Sequence, residues 1–169
     1  MANKNDIPLT DVNSLQSEVA YDDFVYREHF SLECYLEPDR SKESISIKTR
    51  QLSEERGSGM VYILVIEGMI FKIGSTIKAI EDRVQSYNCG KKEYRRNGTC
   101  STTNYFVLQS ILNIEKIVEV YTYYPEMKGY QIFGEEGSDR FPTPKIVEKK
   151  VLKEFKKRHG QLPIGCTQG

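Results

Sequence analysis

The chain reads as an α+β protein: a short antiparallel three-stranded sheet flanked by helices, with N-terminal helical and internal loop additions. Three observations predict it. Residues 60–89, MVYILVIEGMIFKIGSTIKAIEDRVQSYNC, hold two apolar runs separated by Glu67-Gly68 and followed by a helical pattern. Residues 117–124, IVEVYTYY, alternate and carry aromatics that favour a sheet. Residues 144–160 repeat apolar side chains at helical spacing between a proline at the start and a glycine at the stop.

The elements follow in chain order. Residues 14–36 are expected to form one or two helices, with Leu15, Val19, Phe24, Phe30, Leu32 and Leu36 turned to the core. Residues 38–58 are polar except for SISIKT, which reads as an edge strand or connector joining this extension (1–58) to a core spanning 59–160. In the core, 61–66 is too apolar for a strand wetted on one face, and Gly68 suits a tight hairpin into 69–74. Gly74-Ser75-Thr76 ends the second strand and offers capping hydroxyls to a helix with Ile77, Ile80, Val84 and Tyr87 on its inner face and Glu81-Asp82 in its early turns. Residues 90–105 read as a long loop or insertion, and 105–114 is apolar without a decisive period. A short strand is expected at 129–133, then a turn-rich stretch and the last helix, with Ile146, Val147, Val151, Leu152 and Phe155 on one side and a tail at 161–169.

The chain has 169 residues and a formal net charge of zero, which by itself does not favour nucleic acid as a partner. The charges are segregated, however. Residues 1–37 hold eight acidic residues against two basic, whereas 145–159 hold seven basic against two acidic. Lys91, Lys92, Arg95 and Arg96 add a second basic cluster, so a positive face is expected. No apolar run approaches the roughly 20 residues of a membrane span, and no secretory signal is visible, so a membrane partner is not expected and a cytoplasmic protein is. Cys34, Cys89, Cys100 and Cys166 are scattered without metal-ligand spacing, which argues for reduced thiols and against zinc.

Arg83 and Tyr87 lie four apart and share a helix face, close after a strand in which Lys72 stands where an apolar residue is expected. MVY, then KIG ten residues on, then an arginine nine residues beyond that glycine, resembles the catalytic core of the GIY-YIG nuclease superfamily. Met60 and Lys72 depart from the two tripeptides that name it, and the lysine variant is most similar to its small type II restriction endonucleases. The resemblance covers about residues 59–90, with a weaker match near Glu148. It implies a GIY-YIG-like core at 59–160 and a sequence-specific endonuclease cutting double-stranded DNA with magnesium or manganese, as in restriction-modification.

The resemblance also implies roles. Tyr62 would orient or deprotonate the attacking water, which is awkward for a phenol with a free pKa of roughly 10. Lys72 beside it would favour the phenolate, or accept the proton itself. Arg83 would grip phosphate oxygens with its planar fork, and Tyr87 would bond the same phosphate or the water. Glu148, at the start of the last helix, would hold the metal through oxygen. Glu154 is its rival, and the asparagine that often follows this glutamate in the family is missing here. Each residue also has a plain structural reading: Tyr62 a core aromatic, Lys72 a snorkelling lysine, Arg83 and Tyr87 an exposed helix pair, Glu148 a helix-dipole carboxylate.

Target choice would come from outside the core. Lys91, Lys92, Arg95, Arg96 and Asn97, with Gln109, are of types that contact phosphates or base edges. One phosphate site cuts one strand, so double-strand cleavage calls for a homodimer on a near-palindromic target. The alternatives are a repair or mobile-element nuclease of the same superfamily and a noncatalytic DNA-binding module on a nuclease scaffold.

Overall fold

Residues 61–65 carry one polar group, the Tyr62 hydroxyl, and every one of these side chains is buried, on both faces of a sheet. The computed structural model describes residues 19–50, 57–90 and 102–166. Seven strands and three α-helices are seen among them, β1 (Ser31–Asp39), β2 (Ser44–Arg50), β3 (Met60–Ile66), β4 (Met69–Thr76), α1 (Ile80–Tyr87), α2 (Thr102–Asn113), β5 (Val118–Tyr123), β6 (Met127–Ile132), β7 (Glu135–Arg140) and α3 (Pro144–His159). Five strands make one sheet in the order β2-β1-β5-β3-β4, and every pairing in it is antiparallel. The molecule is therefore α+β, with two strands more in its sheet than expected.

Alternation divides the core in two. Met60, Tyr62 and Leu64 of β3 join Val118 and Val120 of β5 and Cys34 and Leu36 of β1 under α1 and α2, which contribute Ile80, Val84, Tyr87, Tyr105, Leu108 and Leu112. Val61, Ile63 and Val65 face the other way, with Ile70 and Ile73 of β4, toward Val151 and Phe155 of α3 and the aromatics Tyr21, Phe24 and Phe30. A central strand covered on both faces reads as a continuous apolar run, which is the pattern of 61–66.

The N-terminal extension differs most from expectation. Among the described residues before β1, only the 3-10 turns at Tyr21–Asp23 and Arg27–His29 are helical. Leu32 and Leu36, four apart, suggest a helix face, yet both lie in a strand that pairs with β5 on one side and β2 on the other. SISIKT does form the edge strand β2. The apolar stretch of undecided type is α2. Ile77 is 80 % exposed and Ile146 55 %, so neither belongs to the core stripe assigned to its helix. The turn-rich stretch after β6 is a strand: β6 and β7 form a separate hairpin whose residues are nearly all exposed, leaving no buried period to read.

The core hairpin and the last helix follow their sequence signals. Glu67 and Gly68 both take positive φ (49° and 80°), the geometry of a two-residue turn that suits the strand twist. Pro144 opens α3 and Gly160 ends it at φ 76°. Among the described residues no helix is long and apolar enough to cross a membrane.

Candidate active site

Strand β4 is a sheet edge, and the site wraps around that edge near its end. A cleft of about 300 Å³ is lined there by Tyr62, Lys72, Gly74, Ser75, Arg83, Lys145, Glu148 and Cys166, among others. Tyr62 comes from the central strand, Lys72 to Ser75 from the edge strand, Arg83 from α1 on one side of the sheet, and Lys145 and Glu148 from the first turns of α3 on the other.

Tyr62 is fully buried, and its hydroxyl is held from two sides. Arg83 Nε donates to it at 2.8 Å, and the Tyr87 hydroxyl lies 3.0 Å away. The Arg83 guanidinium also stacks over both rings, 5.4 Å from the centroid of Tyr62 and 4.9 Å from that of Tyr87, and its Nη1 donates to Ser86 Oγ. Burial raises the Tyr62 pKa above the ordinary phenol value, while the Arg83 charge and the bond to Tyr87 pull it back. Tyr87, buried behind it, is raised further, again by burial first. The charge that favours a Tyr62 phenolate is thus that of Arg83, where the sequence suggested Lys72.

The reason Tyr62 can reach this position is Gly74, its cross-strand partner. A Cβ built on Gly74 would lie 2.4 Å from the Tyr62 hydroxyl and 2.6 Å from the ring carbon bearing it. The Gly74→Ala variant is therefore expected to push the ring away and break the bond to Arg83, at a cost of about 1–3 kcal/mol for a fully packed site. Urea unfolding measures this, and a stability equal to wild type would disprove the close packing.

Lys72 is half-buried, and its ammonium donates to the Gly165 carbonyl at 2.5 Å. Burial lowers its pKa below that of a free lysine, the Arg83 charge adds to the lowering, and Cys166 and Glu148 oppose it. Glu148 is buried, 8 % exposed, and its Oε2 accepts from Ser75 Oγ at 2.5 Å and from Lys145 Nζ at 2.7 Å. Among the described residues no three His, Cys, Asp or Glu side chains cluster, so Glu148 is a single carboxylate among Lys72, Arg83 and Lys145. That donor set fits a hydrated magnesium ion, which takes one or two carboxylates and keeps several waters. Glu154, the rival, is engaged on the helix exterior with Arg158 at 2.8 Å.

Tyr62, Lys72, Arg83 and Glu148 are thus brought to one cleft, with Tyr87 behind Tyr62. Lys91, Lys92, Arg95, Arg96 and Asn97 lie outside the described residues. Gln109 sits on α2 and donates to Asn113 at 3.3 Å, within its own helix. Sequence reasoning missed Ser75, Lys145, Gly165 and Cys166. Lys145 was legible in principle, three residues before Glu148 on a helix. Ser75 and Thr76 both read in the sequence as capping hydroxyls, but the N-cap of α1 is Ala79 with no side-chain cap bond, and Thr76 accepts from the Lys78 N–H at 3.0 Å in the turn before the helix.

The chain belongs to the T5orf172 domain family, which matches residues 59–168. This corrects the resemblance to the GIY-YIG superfamily, which rested on a few residues between 60 and 87 with two departures and a weaker match near Glu148, whereas the T5orf172 match spans β3 to β7 and all three helices. Among solved structures, the chain is similar to restriction endonuclease HPY188I in complex with product DNA, at 52 % identity over 100 % of this chain and 98 % of that one, with a TM-score of 0.65. It is also similar in fold to a mutant of bacteriophage T4 EndoII, at 20 % identity over 80 % of this chain and 92 % of that one, with a TM-score of 0.54. No curated protein matches the chain.

Proposed function

We propose that this protein is a sequence-specific endonuclease that hydrolyses phosphodiester bonds in double-stranded DNA with a divalent metal. The observation that carries the reading is a single buried carboxylate, Glu148, set among Lys72, Arg83 and Lys145 beside a hydrogen-bonded tyrosine pair. A phosphodiester is anionic, so three cations favour its entry, and hydrolysis further needs an oriented water and help for the departing oxygen. The 52 % identity with a restriction endonuclease over the whole chain supports the same reading.

Arg83 binds nonbridging phosphate oxygens while its Nε holds the Tyr62 hydroxyl. Tyr62, aimed into the cleft beside Gly74, orients the attacking water. Lys72, whose lowered pKa eases loss of its own proton, takes the water's proton as the neutral amine. Glu148, fixed by Ser75 and Lys145, would hold a magnesium or manganese ion, which when bound would offset charge on the departing oxygen. Two copies of the chain on a near-palindromic site would supply one such cleft to each strand. The exposed lysines of α3, among them Lys149, Lys153 and Lys156, add positive surface on the helix that carries Glu148.

Incubation of the protein with plasmid and phage DNA, with magnesium or with chelator, tests the proposal. Discrete bands that need the metal are expected. DNA left uncut at every magnesium and manganese concentration overturns the catalytic reading, and a retarded but intact band replaces it with binding alone.

A further inference from the structure

An edge strand exposes unpaired N–H and C=O groups and is normally covered or blunted. The outer edge of β4 is covered twice. At its start the Ile70 N–H donates to the Val19 carbonyl at 2.9 Å, and Ala20 bridges to Met69. At Ile73 the cover is the Ile164–Cys166 turn, and its means are unusual: the Cys166 thiol accepts from the Ile73 N–H at 3.3 Å and donates to the Ile73 carbonyl at 3.0 Å. One sulfur thus serves both backbone groups of one residue, as a neighbouring strand would. Burial raises the Cys166 pKa and keeps the S–H available for this donation.

The neighbouring residue of the turn grips the neighbouring residue of the strand. The Gly165 carbonyl accepts from Lys72 Nζ at 2.5 Å. Gly165 has no room for a side chain, since a Cβ would stand 2.9 Å from Lys72 Cβ, 3.0 Å from the Phe71 carbonyl oxygen and 3.1 Å from the Phe71 ring. Left alone on a sheet edge, a lysine keeps its rotamer freedom and points its ammonium to bulk water. Here the ammonium has a fixed acceptor at the mouth of the cleft that Tyr62 and Glu148 also line.

We infer that the Ile164–Cys166 turn is a positioning element of the active site, in which the Gly165 carbonyl orients Lys72 toward the reacting phosphate and the Cys166 thiol locks the turn onto β4. The inference rests on the proposed nuclease reading. Neither residue touches substrate; both act through Lys72.

Three variants test it, with three measurements on each: single-turnover cleavage, DNA affinity, and the rate at which an amine-reactive reagent labels Lys72, read by mass spectrometry. Gly165→Ala and Cys166→Ala are expected to slow cleavage by about 10²-fold, the scale of a misplaced catalytic group, while DNA affinity stays as in wild type. Lys72 labelling should rise several-fold in both, because the ammonium loses its acceptor. Cys166→Ser, which keeps a donor and an acceptor, should restore cleavage and protection together. Unchanged Lys72 labelling in Cys166→Ala overturns the anchoring, and raised labelling with undiminished cleavage overturns the positioning role. If Gly165→Ala does not fold, the cysteine pair decides alone. A wild-type protein that binds but never cuts DNA overturns the nuclease reading instead, and the labelling still decides whether the turn holds Lys72.

Discussion

Exchange of Arg83 for lysine is expected to lower the single-turnover cleavage rate by about 10³-fold, the scale of losing one preorganised charge-stabilising group, although the positive charge is kept. The guanidinium performs three tasks that an ammonium cannot combine. Its Nε bonds the Tyr62 hydroxyl, its Nη1 bonds Ser86 Oγ, and its plane stacks on the rings of Tyr62 and Tyr87. The lysine variant leaves the buried Tyr62 oxygen without its charged donor, so only the bond to Tyr87 opposes burial and the pKa rises further. Two measurements separate this from a loss of charge. DNA affinity should fall little in Arg83→Lys and more in Arg83→Ala, whereas cleavage should fail in both. If the lysine variant cuts within tenfold of wild type, Arg83 supplies only charge, and its bond to Tyr62 has no catalytic weight.

Glu148→Gln should be as damaging, by about 10³-fold or more, since it removes the one carboxylate lining the cleft among the described residues and with it the proposed ligand of the metal. The change is nearly isosteric. An amide oxygen still accepts from Ser75 and Lys145, and the lost ion pair has a Lys145 side chain that is 65 % exposed, so stability should change by less than about 1 kcal/mol. Loss of cleavage with an unchanged melting temperature and retained DNA binding is the expected result. Glu154→Gln, on the same helix, is the control: its carboxylate faces Arg158 on the exterior and its loss should leave cleavage intact. Cutting by Glu148→Gln that matches wild type, at any magnesium concentration, would move the metal ligand elsewhere.

The residues proposed from the chain were visible for different reasons. Lys72 interrupts an apolar strand, whereas Tyr62 and Glu148 were singled out by the resemblance, each having a plain structural reading of its own. Arg83 and Tyr87 were paired by helical spacing alone. What spacing did not disclose was the partnership: Lys72 and Arg83 are both cations near Tyr62 in sequence terms, and only the packing of α1 over β3 gives the phenol to Arg83. The family, too, was misread from five side chains, because short motifs weigh a few positions while the T5orf172 match weighs the whole of 59–168.

The strands β3, β4 and β5 and the helices α1 and α3 follow from the chain itself, since burial on one or both faces writes its period into the side chains. β1 does not, because Leu32 and Leu36 suit a helix as well as a strand, and a bulge between Leu32 and Cys34 breaks the alternation that would have decided it. Of the exposed hairpin, the strand expected at 129–133 is β6, whereas β7 leaves no buried pattern to read. Local sequence thus determined the hairpin and the helix that carry Tyr62, Lys72 and Arg83, and the helix that carries Glu148. Only the tertiary structure decided that Gly74 lets Tyr62 lie across β4 and that Ser75, Lys145, Gly165 and Cys166 secure the charged residues. The contacts Gly165 makes to Lys72, and Cys166 to Ile73, join residues 93 positions apart, and no local periodicity records a bond made across that distance.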